Sequence, residues 1–212
     1  MFKKAMATTL ALALSLTLLA GCGGSKSSAA PSASADSSKT SGSGSSTPTT
    51  TTAAKDSFVW NVGVDTKGWD PGLAGTGDGA HMINNLFEGL MRDAGDGKLE
   101  YGMAESYTIS EDQKTYTFKL RPNLKWSDGK PFTAKDFEYS WKRVCDPAAA
   151  SGNVYIMAPY IVGADDYLNG KGTRDAVGVK ATDDLTLVVN LNFPVPYFLS
   201  LTSFYAYLPV RE

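Results

Sequence analysis

The sequence predicts an α+β fold for its C-terminal three-quarters. Three observations carry this. Period-two apolar alternation recurs in short runs, as in Tyr116, Phe118 and Leu120. Helical spacing appears between such runs, as in Phe137, Trp141 and Val144. Strands and helices do not alternate regularly, which argues against a parallel βαβ sheet.

The first folded element is expected at Phe58, Trp60, Val62 and Val64, alternating with Val59, Asn61 and Gly63. Trp69-Asp70-Pro71-Gly72 then turns the chain. Gly75, Gly77 and Gly79 make a stretch of bare backbone before a helix whose face carries Met82, Ile83, Leu86, Phe87, Leu90 and Met91. Asp96-Gly97 and Asp128-Gly129 read as tight turns. Thr133-Ala134-Lys135-Asp136 reads as a helix start, a hydroxyl cap with an acid three residues on. Residues 154–169 are expected to be helical in part, ended by Asn169-Gly170. Asp183-Asp184 leads into a strand with Leu185, Leu187, Val189 and Leu191 on one face, closed by Pro194 and Pro196.

The preceding residues are of another kind. Lys3 and Lys4 precede an uncharged apolar run that ends Leu19-Ala20-Gly21-Cys22. Residues 1–21 read as a signal peptide, too short for a spanning helix. The small pair before Cys22 resembles a bacterial lipobox, in which that cysteine is lipidated; ordinary secretion with a chance cysteine is the alternative. Residues 22–55 read as a disordered tether, since 17 of residues 23–54 are Ser or Thr and none is an aliphatic larger than Ala. A flexible chain of that length reaches ~30 Å; an O-glycosylated stalk has the same mechanical meaning. Residues 56–212 are left to fold.

Composition excludes several functions. From Asp56 onward there are 15 Lys and Arg against 21 Asp and Glu, with no basic stripe, so nucleic acid is not an expected partner. The single histidine, His81, excludes a site built on two imidazoles. Beside the glycines it is a candidate switch or ligand contact, or simply a first-turn helix residue. Two cysteines make no disulfide framework, and Cys145 reads as a small buried residue at a helix end. Asp93-Ala94-Gly95-Asp96-Gly97 lacks the acid spacing of a calcium loop and reads as a hairpin turn. No G-x-S-x-G elbow occurs. No catalytic residue, metal or cofactor is assigned. Gly75-Thr76-Gly77-Asp78-Gly79 invites an anion or dinucleotide reading, but its spacing is not G-x-G-x-x-G. The alternative is a loop that lets something approach the backbone closely.

Ten words occur in order: Trp69-Asp70-Pro71, Leu86-Phe87-Glu88-Gly89-Leu90, Ala104-Glu105-Ser106, Tyr116-Thr117-Phe118-Lys119-Leu120-Arg121, Trp126-Ser127-Asp128-Gly129, Phe132-Thr133-Ala134-Lys135-Asp136-Phe137, Tyr139-Ser140-Trp141, Asp146-Pro147, Val177-Gly178-Val179-Lys180-Ala181 and Pro194-Val195-Pro196-Tyr197-Phe198. From about Phe58 onward the chain resembles the family 5 extracellular solute-binding proteins, the oligopeptide receptors of ABC transporters. The resemblance implies the smaller lobe of a two-lobed periplasmic-binding-protein-like fold, with the first strand of the larger lobe. It implies a non-enzymatic receptor that closes over an extended oligopeptide and passes it to permease and ATPase subunits. Cys22 would anchor it to the outer face of the bacterial cell membrane, on the periplasmic side where there are two membranes.

By position the family's backbone contact segment falls on Gly75, Thr76 and Gly77. A tyrosine lining the family's peptide site aligns with Asn153, with Tyr155 two residues on. Relatives also bind dipeptides, nickel or oligosaccharides. The family's chains are more than twice this length, so the chain is expected to be an N-terminal portion that by itself binds peptide weakly or not at all. Its first strand is then expected to be an unpaired edge prone to association. Two other readings stay open at this stage: a secreted nucleotide-binding enzyme using the Gly75–Gly79 loop, and a surface adhesin or sensor lipoprotein of the same fold.

Overall fold

Strand β4 (Thr115–Leu120) is the centre of the sheet, and its alternation is fully realised: Tyr116, Phe118 and Leu120 are buried while Thr115, Thr117 and Lys119 are not. It pairs antiparallel with β3 (Ala104–Ile109) on one side and β6 (Thr186–Asn190) on the other. Strand β5 (Val179–Asp183) adds to β6, giving the antiparallel order β3-β4-β6-β5. Register sets Tyr116 opposite Val189, and Val189 opposite Val179, so one buried row crosses three strands. The expected Asp183-Asp184 turn joins β5 to β6, with the Leu185 N–H donating to Asp183 Oδ1 at 2.9 Å.

The computed structural model describes residues 68–212 together with Val59, Asn61, Gly63 and Asp65. The signal sequence, the tether with Cys22, and Phe58, Trp60, Val62 and Val64 of the expected first strand lie outside the described residues.

Helix α2 (Ala134–Val144) covers the sheet. It starts where the sequence places it: the Thr133 N–H donates to Asp136 Oδ2 at 2.7 Å, satisfying a donor the helix leaves unpaired. Phe137, Trp141 and Val144 form its buried face. Trp141 meets Tyr207 edge-on at 4.9 Å and donates its indole N–H to the Tyr207 carbonyl at 2.7 Å. The Tyr207 hydroxyl in turn donates to the Ile156 carbonyl at 2.6 Å. Ser140 Oγ both donates to the Val210 carbonyl and accepts from its N–H. The segment 205–210 is thereby stitched along α2. Cys145 closes the helix with no exposure, and burial pushes its thiol up to about 12.

The glycine-preceded helix is shorter than its apolar pattern implies. Helix α1 spans Gly77–Leu86, and only Ile83 of its six expected face residues is both helical and buried; Leu86 is 56% exposed. Phe87 is already extended (φ −126°, ψ 156°). Leu90 and Met91 are buried, but beyond the helix, where strand β1 (Met91–Asp93) begins. Close packing follows at Gly89, where a Cβ would stand 2.7 Å from the Thr202 carbonyl oxygen and 2.9 Å from Leu208 Cδ2. β1 forms a hairpin with β2 (Leu99–Tyr101), and its turn is the expected Asp93–Gly97 stretch, with Gly95 and Gly97 at positive φ. Residues 154–169 give a 3₁₀ turn at Val154–Ile156 and the short helix α3 (Ala164–Leu168), ended by Asn169 and Gly170 as expected. Helix α4 (Phe198–Leu201) sets Phe198 against Tyr116 at 4.8 Å.

Candidate functional site

The loop from Gly68 to Thr76 is held at one point after another. Asp70 accepts from both terminal nitrogens of Arg143, at 3.0 and 2.7 Å, which ties the Trp-Asp-Pro-Gly turn to α2. This fork holds the Arg143 guanidinium above its ordinary pKa. The Asp70 carbonyl accepts from the N–H groups of Leu73 and Ala74, closing the turn. Ser151 Oγ donates to the Gly72 carbonyl at 2.5 Å, and Asn153 Nδ2 to the Ala74 carbonyl at 2.6 Å. Thr76 then caps α1, its hydroxyl accepting from the Gly79 N–H at 3.3 Å. Ala74, Ile83 and Leu208 pack as a small apolar cluster beneath, flanked by Phe87 and Tyr205.

What this clamped loop presents is backbone. Gly75 and Gly77 are exposed, and a Cβ on either would meet nothing within 4 Å. The N–H and carbonyl of Gly75 make no hydrogen bond among the described residues. Thr76 between them is extended (φ −127°, ψ 145°). A hollow of about 380 Å³ opens beside the segment, lined by Gly68, Asp70, Leu73, Ala74, Gly75 and Thr76. Leu73, which lines it, is 38% exposed.

The structure brings Asn153 to the loop, though from behind. Asn153 is 3% exposed, and its Oδ1 accepts from the Tyr205 hydroxyl at 3.2 Å. Tyr155 stands at the surface, 64% exposed. Burial holds the Tyr205 hydroxyl above its ordinary pKa. Ser151 and Arg143 were not singled out by sequence reasoning. Their partners are 79 and 73 residues away, beyond any local pattern.

The arrangement suits pairing with an extended chain better than holding a phosphate. The N-terminus of α1 already has a hydroxyl cap and an acid, Asp78, in its first turn. All pairings within the described sheets are antiparallel, so the dinucleotide reading lacks its parallel frame there.

Residues 98–212 match the family described as bacterial extracellular solute-binding proteins, family 5 middle. The chain belongs to this family. As a family 5 solute-binding chain it is 45% identical over 161 residues to the oligopeptide-binding protein OppA of Bacillus subtilis strain 168, covering 75% of this chain and 29% of the relative. It is 43% identical over 150 residues to the periplasmic oligopeptide-binding protein OppA of Escherichia coli K12, covering 70% and 27%. Among solved structures it resembles the substrate-binding domain of an oligopeptide ABC transporter from Bacillus anthracis str. Ames, with a TM-score of 0.65 at 43% identity over 67% of this chain and 27% of that one. It also resembles Haemophilus influenzae OppA in complex with the peptide RPPGFSPFR, with a TM-score of 0.67 at 38% identity over 71% and 30%. The chain thus spans less than a third of the length of these relatives. The α+β architecture expected from the sequence is the one found, a partial lobe of the periplasmic-binding-protein fold.

Proposed function

We propose that this chain forms part of a receptor that captures oligopeptides for an ABC transporter, without catalysis. The observation that carries the reading is the exposed backbone of Gly75, without a hydrogen bond among the described residues, on a clamped loop beside an open hollow. A peptide laid against Gly75, Thr76 and Gly77 gains main-chain hydrogen bonds that ignore its side chains, which suits a receptor for varied sequences. Tyr155 contributes an exposed ring to the same neighbourhood, while Asn153 supports the loop from beneath. The relatives are named as oligopeptide-binding proteins, and one is solved with a peptide bound.

In this reading the ligand is enclosed by hinge closure and handed to permease and ATPase subunits. Cys22 carries the lipid anchor on the outer face of the cell membrane, and residues 22–55 are the tether. Tethering keeps captured peptide near the transporter at raised effective concentration. The test is a titration of the ¹⁵N-labelled chain with RPPGFSPFR, followed by amide resonances, which register even millimolar binding. Saturable shifts centred on residues 73–77 and 155 support the reading. Saturation with no shift there refutes it.

A further inference from the structure

Asn153 is the one sequence-aligned site residue whose side chain is buried, and its two ends have different partners. Nδ2 donates to the Ala74 carbonyl at 2.6 Å, and Oδ1 accepts from the Tyr205 hydroxyl at 3.2 Å. Ser151 sits behind it, donating to the Gly72 carbonyl and accepting from the Asn153 N–H at 3.1 Å. Both grips therefore fall on loop carbonyls two residues apart. In a trans peptide the carbonyl of one residue and the N–H of the next point in opposite directions. A carbonyl of Ala74 held inward by Asn153 aims the Gly75 N–H outward. Gly75 is exposed, with open space where a Cβ would stand.

We propose that Asn153 is a positioning residue. It sets the direction of the Gly75 N–H, and with it the register in which a ligand backbone pairs with residues 75–77, while touching no ligand atom. The inference rests on the peptide-binding reading and deepens it. It also accounts for the side chain's placement: an amide donates to the loop through its nitrogen and accepts from Tyr205 through its oxygen, two separate atoms facing two partners.

The asymmetry of the two bonds supplies the test. Asn153→Asp keeps the shape and the acceptor for Tyr205 but turns an oxygen toward the Ala74 carbonyl. Tyr205→Phe removes the other bond and leaves the grip on Ala74. Both are compared with wild type on the full ¹⁵N-labelled chain, with Asn153→Ala as a third variant in case the aspartate does not fold. The readouts are amide hydrogen exchange and RPPGFSPFR titration.

In Asn153→Asp and Asn153→Ala the Ala74 amide is expected to exchange at least tenfold faster, with β4 and α2 amides unchanged, and peptide to bind at least tenfold more weakly. Tyr205→Phe is expected to stay within twofold of wild type in both. The inference is overturned if all variants act alike, or if the loop loosens while affinity stays within twofold. It is also overturned if bound peptide shifts other residues of wild type but not the Gly75 N–H. If no wild-type resonance responds to peptide, the reading that residues 75–77 of this chain pair with a ligand on their own fails by itself. The exchange comparison then decides whether Asn153 holds the loop at Ala74.

Discussion

Replacing Gly75 by alanine is expected to make the protein slightly more stable and a poorer binder. The φ of Gly75 lies outside the left-handed region, and a Cβ there meets nothing within 4 Å, so the folded state accommodates the methyl. The unfolded chain loses freedom, which stabilises by about 0.4–1 kcal/mol. For a unit of roughly 150 residues this raises Tm by about 1–4 °C. The methyl instead stands where a ligand backbone must approach. Losing one main-chain hydrogen bond to the ligand costs about 0.5–1.5 kcal/mol, or roughly a two- to tenfold rise in Kd. Gly89→Ala is the internal contrast, since its Cβ would stand 2.7 Å from the Thr202 oxygen and 3.0 Å from the Met91 oxygen. Overpacking against backbone costs about 1–3 kcal/mol, so Tm falls by several degrees. Thermal melts and RPPGFSPFR titrations of both variants decide it. A Gly75→Ala protein that melts well below wild type, or binds as wild type does, refutes the reasoning.

Trp141→Ala removes a fully buried indole and its bond to Tyr207, and is expected to cost about 3–5 kcal/mol, read by urea denaturation. Arg143→Lys loses the two-pronged hold on Asp70, with a stability loss of about 1 kcal/mol or less and faster exchange at the Ala74 amide. The Cys145 thiol, buried and pushed up to about 12, is expected to react with a thiol reagent at pH 8 only as fast as the protein opens. The Lys130 N–H and the Arg211 guanidinium hold the Asp128 carboxylate below its ordinary pKa. Because that pKa is depressed in the folded state, whatever the contact contributes is present above the ordinary aspartate range and lost only as pH falls through the lowered value. A carboxyl NMR titration showing Asp128 at or above the ordinary value contradicts this.

The parts of the fold that the sequence reveals are those whose signals are local. Thr133 and Asp136 are three residues apart, and Phe137, Trp141 and Val144 recur within two turns, so α2 is legible from end to end. β4 and the buried residues of β6 show by alternation because one face of each is packed. β3 and β5 are edge strands, mostly exposed along their length, so no apolar period marks them. The apolar period overextends α1, because Leu90 and Met91 continue it although both lie beyond the helix. The extended backbone at Phe87 and the tight packing of Gly89 against the Thr202 carbonyl are invisible in the run itself. The glycines of the candidate site are equally visible, since bare backbone announces itself. The inward role of Asn153 is not, because it depends on Ala74, 79 residues away. A lone amide within the otherwise apolar stretch around Val154 and Ile156 is the one hint the sequence offers.

Helix α2 has a mechanical consequence of its own. Within about one turn, Arg143 grips the loop at Asp70, while Trp141 and Ser140 grip the strip at Tyr207 and Val210. A load applied to the loop therefore reaches the other strip through one turn of α2, in parallel with the Asn153 bridge from Ala74 to Tyr205. Such a member acts as a crossbar: whatever tilts one strip tilts the other. The loop that presents Gly75 is thus geared to the 205–210 segment by directed side-chain bonds as well as by the Ala74–Leu208 cluster.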